Sequence, residues 1–312
     1  MSNANYQTAS DVFDQWRDDV FTGDPPILYP VGSGELARIE VGPNLVTLIG
    51  GAPGAGKTAF TMQCAVDALR LTHSLRVLVC NVEMPSTVLL DRQLARLSGI
   101  DATTVRYRKL DGSHAQRADQ AMNTLEHIAE RLCFVRPPFN LDNVAASADD
   151  FDADLLVLDY IQRISPPGEH ADRRGAINAT MGFLRQFADA GVGIVVVAAV
   201  ARQKDHHGRS SYAGNALSLA SYRESSELEF GADDAFILTP DQKNAELVTL
   251  RHLKARHTEP RDIALRFDRR RQAFTPVGNT SSKPKPDGKL RSSLLDLWDR
   301  TKPAADDAGG NA

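Results

Sequence analysis

Apolar and polar positions along this chain fall into three textures. Near the start, Asp11 to Phe21 sets Val12, Phe13, Trp16 and Val20 at helical spacing, which predicts a short helix with one apolar face. The connector TGDPPILYPVGSGEL follows, dense in proline and glycine. From Asn44 the pattern changes. Short, nearly all-apolar runs, LVTLIG, RVLVCNVE, RLCFV, DLLVLDY and GIVVVAAV, read as buried strands. Between them lie helical stretches: Lys57 to about Leu71, a stretch capped by Ser86 that runs to about Ser98, Ala115 to Leu132, and Arg173 to Ala190. Strands that alternate with helices and carry little polar surface predict an α/β fold, a mostly parallel sheet covered on both faces. Beyond Ala232 the texture shifts again. AFIL, ELVTLRHL, DIALRF and QAFTPV are short strands with polar turns, expected to extend the sheet as C-terminal antiparallel hairpins.

The expected organisation is an N-terminal segment at 1–27, an α/β domain at 28–277 and a flexible tail at 278–312. The tail begins NTSSKPKPDGK, which is linker composition, and holds one amphipathic patch, SSLLDLWDR. No internal repeat is visible.

Composition narrows the function classes. The chain has 312 residues, a net charge of -4 and a pI near 6.1, so any contact with nucleic acid must come from a local basic face. Cys64, Cys80 and Cys133 form no CxxC pair and read as small hydrophobes rather than a disulfide or zinc set. The N-terminus MSNANYQTAS lacks the basic and apolar regions of a signal peptide. The longest apolar run, Ile194 to Ala201, is far too short to span a bilayer. The expectation is a soluble, cytoplasmic protein.

Residues 51–58 read GAPGAGKT, between an apolar strand and a helix. This is the phosphate-loop pattern, and its residues are Gly51, Ala52, Pro53, Gly54, Ala55, Gly56, Lys57 and Thr58. Glycines let the backbone turn so that successive N–H groups face phosphate oxygens at a helix N-terminus. Lys57 is expected to reach the β- and γ-phosphates of ATP, and the Thr58 hydroxyl to ligate Mg2+. Such chemistry needs a buried strand-end carboxylate for the magnesium shell. Asp159, which closes DLLVLD, fits this place, whereas Asp154 begins the strand at the wrong end. A positioner for the attacking water is also required. Glu83, at the end of RVLVCNVE, is the candidate, on a strand expected beside the phosphate-loop strand.

In this order the motifs resemble those of the C-terminal ATPase domain of DnaB-like replicative helicases, a branch of the RecA fold. The resemblance covers roughly residues 28–277. YPVGSGEL and LVTLIGGAPGAGKTAF are similar to the family's entry segment and Walker A motif, and NVEMPSTVLLDRQLARLSGI to its "SLEMS…R" segment. DLLVLDYIQRI looks like "vDYLQLI", and SYRESSELEFGADDAFIL like "dLReSg.ieqdaD". LKARHTEPRDIALRFD looks like the hairpin "KnR.G..g.v.l.f". The resemblance implies a RecA-like P-loop NTPase fold, Asp159 as the Walker B aspartate and Glu83 as the catalytic carboxylate. It also implies that Lys254 and Arg256 complete the site of a neighbouring subunit, so that a homo-oligomer, a hexamer in the family, shares its ATP sites. Cations arriving in trans neutralise charge on the transferred phosphoryl group.

Two positions depart from the pattern. The family's "lsQlnR" glutamine, which senses the γ-phosphate, is matched here by Val200, with Gln203 a few residues on. The hairpin "RNG" is Arg256-His257-Thr258. About thirty residues precede the ATPase-like segment, where family helicases carry an N-terminal domain. The helix around Phe13 and Trp16 could be the linker element that packs on a neighbour or on its own domain.

Single-stranded DNA is the expected partner. In a RecA-type ring the DNA loops would be Ser165 to Arg174 and Arg202 to Ser221, with Arg202, Lys204 and Arg209 as phosphate contacts. The run Arg269–Arg271 is expected to decorate a sheet edge. Leu294 to Trp298 looks like the short "QLDLF"-type peptide of sliding-clamp partners. The expectation is an ATP-hydrolysing helicase core acting as a ring on single-stranded DNA. The alternative is a RecA-fold ATPase, a loader, recombination mediator or switch, that does not unwind. A nucleotide-binding module with little hydrolysis fits less well, because Glu83 is present.

Overall fold

Each all-apolar run supplies a parallel strand, because a strand buried on both faces has no place for polar side chains. In the computed structural model these are β1 (Val46–Gly51), β2 (Val77–Asn81), β3 (Leu132–Phe134), β4 (Leu155–Asp159) and β5 (Gly193–Ala199). A separate two-stranded ladder pairs β6 (Gln203–Lys204) with β7 (Ser210–Ser211). The remaining strands are β8 (Asp234–Pro240), β9 (Leu247–Ala255), β10 (Ile263–Asp268) and β11 (Ala273–Pro276). The structure describes residues 6–200, 203–204, 210–211 and 226–277, which up to Pro276 belong to one unit.

The main sheet has the order β11-β10-β9-β8-β1-β5-β4-β2-β3. From β8 to β3 neighbouring strands run parallel, whereas β9, β10 and β11 are antiparallel additions. The burial pattern follows the topology. Every residue of β1, β2 and β4 is buried. In β10, by contrast, Ile263, Leu265 and Phe267 are buried while Ala264 and Arg266 face out.

Helices cover both faces of the parallel part. α2 (Lys57–Leu71) and α3 (Ser86–Ser98) pack on the face that presents Ile49, Val77, Val79, Val157 and Val195. α6 (Leu141–Phe151), α7 (Arg173–Asp189) and α8 (Ser226–Gly231) pack on the face that presents Leu48, Leu78, Leu158 and Val196. A smaller cluster joins α3 to α4 (Ala102–Arg106) and α5 (Ala115–Glu126) through Leu94, Ala95, Val105 and Ala118. Burying each large aliphatic side chain in these layers stabilises by roughly 1.5–3 kcal/mol.

Several expectations change. Ser86 is the first helical residue rather than the cap; the cap is Pro85, with no side-chain hydrogen bond. The stretch 115–132 is not one helix: α5 stops at Glu126, and a 3-10 turn at Ala129–Arg131 leads into β3. The chain must straighten there because Leu132 already pairs with Val77. Helices α4 and α6 were not expected. α4 has five residues, too few to show a period, and is set by Asp101, whose carboxylate accepts the Thr103 N–H at 2.8 Å. α6 buries only Leu141 and Val144 and is capped by Asn140, which accepts the Asn143 N–H at 2.9 Å.

The expected helix near the start is present as α1 (Ala9–Thr22), and none of its residues is buried. Phe13 and Trp16 contact each other, with ring centroids 5.3 Å apart, and remain half exposed. Cys64 and Cys80 are buried as expected, whereas Cys133 is half-buried; all three are free thiols. Burial pushes the Cys80 thiol up to about 12, which keeps it unreactive. No described helix is long and apolar enough to cross a membrane. Arg202, Arg209 and the patch Leu294 to Trp298 lie outside the described residues, as do 1–5 and 278–312. Gln203 and Lys204 lie in β6.

Candidate nucleotide site

A parallel sheet aims its carboxyl ends at one rim, and ligands bind in the crevice outside it. Here that rim carries Gly51 at the end of β1, Asp159 at the end of β4 and Asn81 at the end of β2. β5 lies between β1 and β4, so Gly51 pairs with Ala199 while Asp159 pairs with Val197 and Asn81. This corrects one expectation: β2, the strand before Glu83, is not beside β1, since β5 and β4 intervene. β2 also ends at Asn81, so Glu83 stands in the turn that follows, exposed at the rim.

Residues 51–58 leave β1, turn, and start α2. Gly56 has φ +92°, and an added Cβ would come within 2.7 Å of the Phe267 ring and 2.8 Å of the Phe274 ring. Glycine is therefore required there for both conformation and space. Those rings stack on each other at 4.1 Å, so the β10–β11 hairpin is the floor of the loop. Gly54, at φ +76°, faces open space. Lys57 folds back over the loop, its Nζ donating to the carbonyls of Gly51 at 2.8 Å and Ala52 at 3.2 Å. Burial lowers the Lys57 pKa, opposed by the charges of Asp159 and Glu83. Arg269 donates to the Gly54 carbonyl at 2.7 Å.

Asp159 is 4% exposed. Burial raises its pKa, opposed by a hydrogen bond from Thr58 and by Lys57, while Glu83 adds to the rise and half-buried Arg92 opposes it. Asn81 donates from Nδ2 to Asp159 Oδ2 at 2.8 Å. Its Oδ1 accepts the backbone N–H groups of Glu83 at 3.1 Å and Met84 at 2.8 Å. Thr58, Asp159, Lys57 and Glu83 therefore share one neighbourhood.

The arrangement passes a chemical test for a magnesium nucleotide. A loop with open space over Gly54 leads into a helix N-terminus of fifteen residues, which suits phosphate. A hydroxyl and a buried carboxylate, both hard oxygen donors, meet beside it, which suits a magnesium ion that keeps most of its waters. Among the described residues no cluster of three His, Cys, Asp or Glu side chains offers an alternative metal cage.

Lys254 and Arg256 occupy the opposite rim. Lys254 Nζ donates to the carbonyls of Ala232 at 2.7 Å and Phe230 at 3.2 Å. Arg256 pairs with Asp233 at 2.7 Å. Asp233 is buried and also takes Arg185 at 2.7 Å and the Val46 N–H at 2.8 Å. Val46 begins β1 and Gly51 ends it, so the Arg256 guanidinium sits about 16 Å along the strand from its own phosphate loop.

Sequence reasoning missed Asn81, Arg92, Asp233 and the contact of Arg269 with the loop. Asn81 was visible two residues before Glu83, but its partner Asp159 is 78 residues away. Arg269–Arg271 do lie at the sheet edge, yet each has a specific partner: Gly54 for Arg269, Asp101 for Arg270, and Gly99 and Asp268 for Arg271. Val200 is buried in the apolar layer beneath α7.

Fold and site together define a P-loop α/β domain of the RecA type. The DnaB-like helicase C-terminal domain family matches residues 41–276, and the chain belongs to it. Among solved structures, one similar chain is a helicase-type ATPase domain, with TM-score 0.74 and 18% identity over 88% of this chain and 100% of that one. Another is a DnaB-like replicative helicase, solved in a study of its interactions with primase. It has TM-score 0.74 and 17% identity over 88% of this chain and 68% of that one. At such identities the likeness speaks for the fold.

Proposed function

We propose that this chain is the ATP-hydrolysing core of a DnaB-like helicase or translocase, residues 28–277, which works as a ring, a hexamer, on single-stranded DNA. The observation that carries the reading is the meeting of Lys57, Thr58, Asp159 and Glu83 at the carboxyl rim of the sheet. Gly51–Thr58 would cradle the phosphates of ATP, with Lys57 moving from the loop carbonyls to the β- and γ-phosphates. Thr58 and Asp159 would hold Mg2+ and its waters. Magnesium, when bound, neutralises charge on the phosphates. Glu83, exposed at the same rim, would orient the attacking water.

The position of Lys254 and Arg256 supports shared sites. From the opposite rim they are out of reach of their own phosphate loop, so any phosphate they contact belongs to another copy. The uncovered apolar face of α1, with Val12, Phe13, Trp16 and Val20, supports packing on a neighbour as a linker element. Arg202, Lys204 and Arg209 would meet DNA phosphates in the central channel.

ATP turnover with and without single-stranded DNA, measured beside strand displacement on a forked duplex, tests the reading. DNA-stimulated turnover with displacement is expected. Turnover without displacement would favour the second reading, a non-unwinding RecA-fold ATPase. Buried Val200 supports that alternative, because it leaves an apolar side chain where the family places a γ-phosphate sensor. A mixture of a Lys254→Ala, Arg256→Ala subunit with a Lys57→Ala subunit tests sharing. One keeps its own pocket and the other its cations, so co-assembly should restore activity. A co-assembled mixture as inactive as either parent would exclude shared sites.

A further inference from the structure

We propose that Asn81 is a positioning residue for hydrolysis, a neutral bridge that sets the magnesium carboxylate Asp159 and the turn carrying Glu83 in one fixed relation. The proposal rests on the ATPase reading above.

The bridge is built at both ends by chemistry that allows one orientation. A carboxylate only accepts and a backbone N–H only donates. The Asn81 amide nitrogen must therefore face Asp159, at 2.8 Å, and its oxygen must face the N–H groups of Glu83 and Met84, at 3.1 and 2.8 Å. The side chain is 7% exposed, and its Cα lies directly across the sheet from that of Asp159. Glu83 and Asp159 repel, since the charge of Glu83 raises the Asp159 pKa. A free turn would swing Glu83 away and let the Asp159 carboxylate rotate. Asn81 holds both without adding charge, and the Thr58 hydroxyl holds Asp159 from the side of the phosphate loop.

Few residue types can do this. Aspartate keeps the acceptor for the turn but loses the donor and sets a second carboxylate against Asp159. Serine offers one short oxygen, which cannot reach both ends at these distances. The family pattern begins its "SLEM" segment with serine where this chain has Asn81, so the bridge is a feature of this chain. The turn after β2 is thus pinned to β4, two strands from β1.

The test uses the full chain, with Asn81→Asp as the near-isosteric variant and Asn81→Ala and Asn81→Ser beside it. Four quantities are read: kcat and KM for ATP, the magnesium concentration for half-maximal turnover, affinity for a fluorescent ATP analogue without magnesium, and the thermal midpoint. Residues that orient a metal ligand typically matter by roughly 10–100-fold. Asn81→Asp is expected to lower kcat by about that factor and to raise the magnesium requirement, while magnesium-free binding of the analogue stays within about threefold. Asn81→Ser should fall between Asn81→Asp and wild type. Wild-type kcat and magnesium dependence in both Asn81→Asp and Asn81→Ala would overturn the proposal. So would an Asn81→Asp protein with normal kcat beside an Asn81→Ala protein that merely melts early, which would make Asn81 a packing residue. A wild-type chain that binds nucleotide but never turns it over would sink the ATPase reading itself, and this proposal with it.

Discussion

Gln63 offers a direct test of what supports the phosphate loop. It lies on α2, is 5% exposed, and acts as an extra strand partner for β11. Its Nε2 donates to the Phe274 carbonyl at 2.8 Å, and its Oε1 accepts the Phe274 N–H at 2.8 Å. The Phe274 ring stacks on Phe267 and meets Phe60 edge-on at 5.3 Å, and the two stacked rings form the floor under Gly56. Gln63→Leu keeps the approximate volume and the helix propensity. It strips two buried main-chain groups of their partner, at about 1–3 kcal/mol each. The added apolar burial recovers about 1 kcal/mol. The expected net loss is about 2–4 kcal/mol. For a domain of this size that is roughly 4–16 °C in melting midpoint. Gln63→Glu should be no milder, because it keeps the acceptor but sets a carboxylate against the Phe274 carbonyl. Calorimetry gives the midpoints, and hydrogen exchange at the Phe274 amide locates the effect, which should be a faster-exchanging amide. A Gln63→Leu protein that melts within about 1 °C of wild type, with unchanged exchange at Phe274, would refute the reasoning.

Gly56→Ala combines a left-handed backbone, at about 1–2 kcal/mol, with a Cβ driven into two phenyl rings, at about 1–3 kcal/mol. It should lose roughly 2–5 kcal/mol of stability and at least tenfold in nucleotide affinity; a wild-type midpoint in a thermal scan would contradict this. Asp159→Asn should abolish turnover and yet raise the melting midpoint in magnesium-free buffer at pH 7.5. Burial raises the folded pKa of Asp159 above its ordinary 3.8, so the folded chain binds more protons between those values and stability falls as pH rises through that window. The gain in Asp159→Asn should therefore shrink as the pH approaches 3.8, and a variant that melts below wild type at pH 7.5 would show that the Asp159 carboxylate is not destabilising.

The sequence by itself determined the strands, the phosphate loop and the strand-end aspartate. These are local signals. A run such as LLVLD must be buried on both faces, and GAPGAGKT carries its own turn chemistry and its own helix start. The alternation in β10 was equally visible, because a half-exposed strand writes a period of two into its residues. Short helices left little trace: α4 is a single turn or so held by one cap, and α6 buries two side chains.

Strand order was decided only by the tertiary structure. Nothing in RVLVCNVE says that β5 and β4 will stand between it and β1, since the order depends on how helices of particular lengths cover the two faces. The same holds for the residues that tie the site together. Asn81 finds Asp159 across 78 positions, Gln63 finds Phe274 across 211, and Arg269 reaches back to Gly54 across 215. A hydrogen bond contributes only when geometry brings donor and acceptor within about 3 Å, and that geometry is a property of the packed layers rather than of any segment. Lys254 and Arg256 illustrate the division well. Their identity was legible in the hairpin, but the fold alone places them at the rim away from their own phosphate loop.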